Sequence, residues 1–135
     1  MNYVLDTNSW VDHLRHGPKS NVTAKLLATP KGSVFLCSVV MGELLYGAYH
    51  GATTHQAHNL GLIAALRQQF TSLPFDDASA EEYGKIRAYL ANLGTPIGPN
   101  DLLIASIARS NQSTLVTHNT TEFSRVPGLT LEDWQ

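Results

Sequence analysis

The sequence predicts an α/β sandwich: a mostly parallel sheet with helices on both faces. Two observations carry this. Short apolar runs, Tyr3–Asp6 (YVLD), Ser33–Cys37 (SVFLC) and Thr114–Thr117 (TLVT), lack the polar alternation of half-exposed strands and read as strands buried on both faces. Between them lie longer segments with helical spacing, the order that builds parallel strands joined by right-handed crossovers. A short last strand is expected at Leu129–Leu131.

The helices follow in order. Asn8–Leu14 opens directly after the first strand and stops by Gly17-Pro18, because proline cannot continue a helix. Asn21–Leu27 is a second short helix. Val39–Tyr49 follows the second strand, with Ser38 placed as its N-cap. His58–Phe70 sets Leu62, Ala65, Leu66 and Phe70 on one face. Ser79–Leu93 begins with SAEE, where Ser79 and Glu82 have the spacing of a capping box, which gives Glu82 a structural task. Gly94-Thr95-Pro96 then breaks the chain. The last helix, Pro99–Ser110, carries proline near its first position, where the missing N–H costs nothing.

Composition narrows the function classes. With 135 residues, 43% of them hydrophobic and 15% charged, the chain fits one globular domain over residues 1–135. Its apolar runs fall far short of the ~18–20 residues of a membrane-spanning helix. MNYVLDTNSW has no basic segment followed by an apolar stretch, so no secretory signal is expected and the expected location is cytoplasmic. The lone Cys37, inside VFLC, reads as a buried core thiol rather than a nucleophile. The formal charge of −2 gives no electrostatic attraction to nucleic acid unless a few clustered acids mask a basic remainder.

Four acids fall at suggestive places. Asp6 ends the first strand, Glu43 lies about one turn into the helix after the second, and Glu122 follows TLVT by a few residues. Asp101 opens the last helix, just before the apolar run LLIASIA. Functional groups gather outside the C-terminal ends of parallel strands, so one sheet edge can collect all four. Each also has a structural reading. Asp6 can cap a helix, Asp101 can complement a helix dipole for ~0.3–1 kcal/mol, and Glu43 and Glu122 can face solvent. Crowded carboxylates repel, and some are driven to protonate. A divalent cation removes that conflict, and hard oxygen donors suit Mg²⁺ or Mn²⁺. Such an ion polarises a phosphoryl oxygen and activates water; a pair ~3.5–4 Å apart would divide the tasks. Setting the four acids aside moves the formal charge from −2 to +2, so a polyanionic substrate is not excluded.

LDTNSW, SVVMGELLYG, IGPNDLLIAS and LVTHNTTEFSRVPGL, in this order and over essentially the whole chain, resemble the PIN-domain ribonucleases. More narrowly, they resemble the VapC toxins of bacterial toxin–antitoxin pairs. The resemblance implies a PIN-like three-layer sandwich, with a central mostly parallel sheet of four to five strands flanked by helices. It implies that Asp6, Glu43 and Asp101 bind Mg²⁺, with Mn²⁺ able to substitute. Glu122 matches the more variable fourth acid of the catalytic set, its longer side chain reaching the metal through water, with Asn119 as a polar alternative. Thr7, Asn8, Ser38 and Thr117 match polar positions around the family's site, where they orient water or a carboxylate. Asn8 reads equally well as a helix-starting residue. The implied reaction is Mg²⁺-dependent hydrolysis of an RNA phosphodiester, leaving 5′-phosphate and 3′-hydroxyl ends, with Glu43 or Asp6 as general base. tRNA is a frequent target in the family. Implied partners are a cognate antitoxin, whose C-terminal segment obstructs the site, and a second copy in a homodimer.

Other readings are weaker on the residues. His50, His55 and His58 include an i, i+3 pair in HQAH, but no cysteine or acid at suitable spacing completes a zinc set. His118 has no GxSxG serine to serve. Mg²⁺-dependent phosphoryl transfer to Asp6 calls for a lysine at a later strand end, where Thr117-His118 stands, and for a second Asp two residues on, where the triplet is DTN. A catalytically inert partner-binding domain would have no use for all four acids. Arg15, His16, Lys19, Lys25, Lys85, Arg87, Arg109 and Arg125 are either RNA contacts or solvated surface. Trp10 and Tyr46 read as core or subunit packing before base stacking.

Overall fold

Strand β1 (Tyr3–Leu5) occupies the centre of a five-stranded sheet in the computed structural model, which describes residues Met1–Gln135. The chain continues through α1 (Thr7–His16), α2 (Asn21–Ala28), β2 (Val34–Cys37), α3 (Ser38–His50) and α4 (Thr53–Gln69). Then come β3 (Thr71–Leu73), α5 (Asp77–Leu93), α6 (Pro99–Ser110), β4 (Thr114–Val116), α7 (Thr120–Phe123) and β5 (Leu131–Glu132). The strand order is β3-β2-β1-β4-β5, and every pairing is parallel. The expected α/β class is the one observed.

From β1 the chain steps outward to β2 and β3. Helices α5 and α6 then carry it back past β1 to β4. Right-handed connections that reverse direction change faces, so helices cover both sides of the sheet. Burial agrees: Val4, Leu5, Leu36, Leu115 and Val116 are fully buried and anchor a core of 27 residues. Trp10 is fully buried and packs on Phe70, ring centroids 5.1 Å apart, so it is a core residue. Tyr46, by contrast, is exposed. Cys37 is buried, and that burial pushes its thiol up to about 11, which keeps it unreactive.

Local expectations differ from the structure in several places; helix α7 is not among the expected elements, and β5 lies at Leu131–Glu132 rather than Leu129–Leu131. Strand β3 has no apolar run; TSL is an edge strand in register with β2, Phe35 opposite Thr71, and its residues stay largely exposed. Helix α4 begins at Thr53 rather than His58, because its first turns are solvated and carry no apolar pattern; Ile63, Leu66 and Phe70 are buried there, while Ala65 is exposed. Ser38 is not a cap: Cys37 holds that position, and the Ser38 hydroxyl donates to the Leu73 carbonyl at 3.3 Å. Nor do Ser79 and Glu82 form a capping box. Asp76 caps α5 by accepting the Ser79 N–H at 2.9 Å, and Glu82 instead accepts from Arg109 Nε at 2.6 Å.

Candidate active site

The direction of travel reverses between β1 and β4. Parallel strands that diverge in this way leave a crevice at their C-terminal ends. Asp6 and Thr117 are the residues that immediately follow those two strands. The Asp6 N–H still completes the ladder to Val116 O at 2.8 Å, so its position is set by the sheet. Asp6 also caps α1, accepting the Thr7 N–H at 2.7 Å, and accepts the Thr117 hydroxyl at 2.9 Å. Its side chain is fixed at both oxygens, and the residue is only 7% exposed.

Glu43 reaches the same crevice from α3. It accepts the Thr7 hydroxyl at 2.5 Å, and Asn100 Nδ2 lies at 3.4 Å from its other oxygen. Thr7 therefore serves two acids, its N–H on Asp6 and its hydroxyl on Glu43. Asp101 enters from the first turn of α6, half-buried beside the fully buried run Ile104–Ala108. Glu122, on α7, accepts the Gly98 N–H at 2.8 Å and Asn119 Nδ2 at 2.9 Å.

The electrostatics set these acids apart. Burial raises the Asp6 carboxyl above the usual range; the Thr117 and Thr7 donors oppose this, while Glu43 and Glu122 add to it. Asp101 is pushed up to about 6, first by burial and then by the charges of Asp6, Glu122 and Glu43. A hydrogen bond from its protonated form to Glu122 adds last to the rise, and no donor opposes it. Glu122 moves the other way, lowered first by the Gly98 N–H and then by Asn119. None of the four lies within ion-pair distance of a lysine, arginine or histidine.

Oxygen donors alone, crowded and without a positive partner, fit a hard divalent cation. No three His, Cys, Asp or Glu side chains close into a ready-made cage. Mg²⁺ does not require one, because it keeps several waters and takes few carboxylates.

The structure brings Thr7, Thr117 and Asn119 to the acids as donors, with the Asn119 N–H also donating to Thr117 Oγ1 at 3.0 Å. Asn8 is exposed on α1, and Ser38 is turned to Leu73, so neither bonds to the four acids. Asn100 and the Gly98 backbone are contacts that sequence reading missed. The PND triplet was the available signal for Asn100; no signal marks a free backbone N–H. The histidines do not gather: His50 stacks on Tyr46, while His58 lies in a groove beside Glu43. His118 pairs with Asp133 at 2.9 Å. The groove, of about 450 Å³, runs between α1, α3 and α4 and shares Thr7 and Glu43 with the acids.

A parallel sheet with carboxylates gathered at its switch point, none of them paired with a cation, is an acid-centred α/β arrangement suited to phosphate chemistry. The PIN domain family model matches residues 3–129. The chain is 37% identical to the tRNA(fMet)-specific endonuclease VapC of Shigella flexneri, over 99% of this chain and 98% of that one. It is 35% identical to Ribonuclease VapC2 of Rickettsia felis over the same shares. Its fold is similar to that of VapBC2 from Rickettsia felis, crystallised on a DNA fragment from its promoter, with a TM-score of 0.91, 33% identity and 100% coverage of both chains. This chain belongs to the PIN-domain family, among its VapC toxin ribonucleases.

Proposed function

We propose that this chain, as a single PIN domain, hydrolyses RNA phosphodiester bonds with Asp6, Glu43 and Asp101 holding Mg²⁺, for which Mn²⁺ substitutes. One observation carries the reading: three acids from three separate elements converge where the strand order reverses, and no internal cation neutralises them. A bound divalent cation supplies the positive charge that draws in a phosphate and lowers the pKa of water. The chain's own residues prepare that site. Asp6 is immobilised by Thr7 and Thr117, so its oxygens do not search for a geometry. Glu43 is fixed through the Thr7 hydroxyl and faces Asn100. Asp101 presents a carboxylate that no donor restrains.

The substrate class is tRNA, a reading supported by the relative from Shigella flexneri that carries tRNA(fMet) in its name. The partner is a cognate antitoxin, supported by fold similarity to VapBC complexes. An antitoxin segment lying in the groove shared with Thr7 and Glu43 would close the site. A homodimer in the cytoplasm completes the proposal; no helix is long and apolar enough to cross a membrane.

The test is direct. The purified protein is incubated with total bacterial RNA, with Mg²⁺ or with excess chelator, and the new 5′ ends are sequenced. Discrete Mg²⁺-dependent cuts at tRNA, carrying 5′-phosphates, are expected. Identical cuts in chelator would overturn the metal-centred reading, and the absence of cuts with every divalent metal would overturn hydrolysis.

A further inference from the structure

Gly98 is the N-cap of α6, and Asp101 is the third residue inside the helix. In the common capping box, an acid at that third position reaches back to the N-cap N–H. Here the position is filled by an acid, yet the bond goes elsewhere. The Gly98 N–H donates to Glu122, 24 residues further along, at 2.8 Å. Asp101 remains close by: a Cβ built on Gly98 would lie 3.5 Å from Asp101 Oδ2 and 3.8 Å from Glu122 Oε1. Two carboxylates thus stand beside Gly98, and it is Glu122 that accepts its N–H.

Glu122 is itself anchored. Its second oxygen accepts Asn119 Nδ2 at 2.9 Å, the Asn119 N–H donates to Thr117 Oγ1 at 3.0 Å, and that hydroxyl donates to Asp6 at 2.9 Å. The segment from Thr117 to Glu122 is therefore a continuous strap from Asp6 to the mouth of α6. Resting on the cation-site reading above, we propose that Glu122 is a positioning residue: it occupies the Gly98 N–H and so leaves the Asp101 carboxylate free for the cation. Family resemblance alone would place Glu122 next to the metal through water. The two roles separate cleanly by substitution.

Glu122→Gln and Glu122→Ala remove the same charge. Only glutamine keeps an oxygen for the Gly98 N–H, with the Asn119 amide turning over to meet the new NH₂. Mn²⁺ binding without RNA, read from the paramagnetic signal of the free ion, compares the two. Losing a residue that orients a metal ligand typically costs ~10–100-fold in affinity, so the alanine variant should bind Mn²⁺ about tenfold or more weakly than the glutamine variant. Equal affinities would overturn the proposal.

Hydrogen exchange at the Gly98 amide supplies a readout that needs no metal. That amide should exchange slowly in the unaltered protein and stay slow in Glu122→Ala, because Asp101 falls back onto it. It should become fast only when Asp101→Ala is added. Fast exchange in Glu122→Ala alone would overturn the competition between the two acids. If the unaltered protein bound no Mn²⁺, the cation-site reading would fall, and the exchange pattern would still decide the competition by itself.

Discussion

Glu82 and Asp101 are partly buried acids on two helices that pack against each other, α5 and α6, yet the fold treats them in opposite ways. Glu82 meets Arg109 Nε at 2.6 Å, and the same guanidinium donates to the Pro127 carbonyl at 2.8 Å. The pair ties α5, α6 and the C-terminal loop together. Asp101 has no positive partner and no donor; burial first, and then three neighbouring carboxylates, push its carboxyl up to about 6. A chain that neutralises one acid so thoroughly has the means to neutralise the other. The contrast separates an acid used to hold the fold from acids that, under the proposed function, stand ready for a cation brought from outside.

The largest effect should come from breaking the unpaired side. Asp101→Asn is expected to lower RNA cleavage by more than the ~10–100-fold typical of a residue that only orients a metal ligand. Without Mg²⁺ the same variant should melt at a higher temperature, because a crowded, half-buried charge has gone. Added Mg²⁺ should raise the melting temperature of the unaltered protein by mass action but leave the variant unmoved. A variant that melts lower and still responds to Mg²⁺ would erase the distinction from Glu82.

Glu82→Gln sharpens the comparison from the other side. It leaves Arg109 partly buried without its counter-charge, a loss of roughly 1–3 kcal/mol by the scale of charged hydrogen bonds. Denaturant titration should report that loss, while cleavage at a temperature where both proteins are folded stays unchanged. A cleavage defect equal to that of Asp101→Asn would mean that the two acids are not separate in function.

The smallest effect concerns Asp76, an exposed acid whose task is only to cap a helix. The Ser79 N–H holds its carboxyl below the usual 3.8, so its ionised form favours the folded state. That contribution is complete above the unfolded value and disappears as pH falls through the folded one. Asp76→Ala should therefore lower stability slightly at neutral pH and flatten the loss below pH 3.8, as followed by thermal melts across acid pH. An unchanged acid limb would remove Asp76 from the account.

Much of this could be read from sequence because burial writes itself in residue type. β1, β2 and β4 are apolar on both faces and were legible; β3 is exposed at the sheet edge and carries no such mark. The four acids were legible because each departs from its surroundings or follows a strand. What they bond to was not. The spacing of Ser79 and Glu82 suited a capping box, but DDAS offers a better cap three residues before Ser79, and the partner of Glu82 lies on another helix. Glu122 and Gly98 illustrate the same limit. The capping-box pattern would give the N-cap donor to an acid within α6, whereas a tertiary contact takes it.

Asp6 and Thr117 are joined side chain to side chain across 111 positions, and β1 meets β4 over a similar separation. A ribosome makes the chain in order. Asp6 and Glu43 emerge early, but Asp101, Thr117 and Glu122 come only in about the last quarter of synthesis. The acids of the proposed site can therefore meet only once the chain has been made as far as Glu122. The proposed site thus depends on the pairing of β1 and β4, which brings Thr117 to Asp6, and on the Glu122 contact with Gly98 that follows it in the chain.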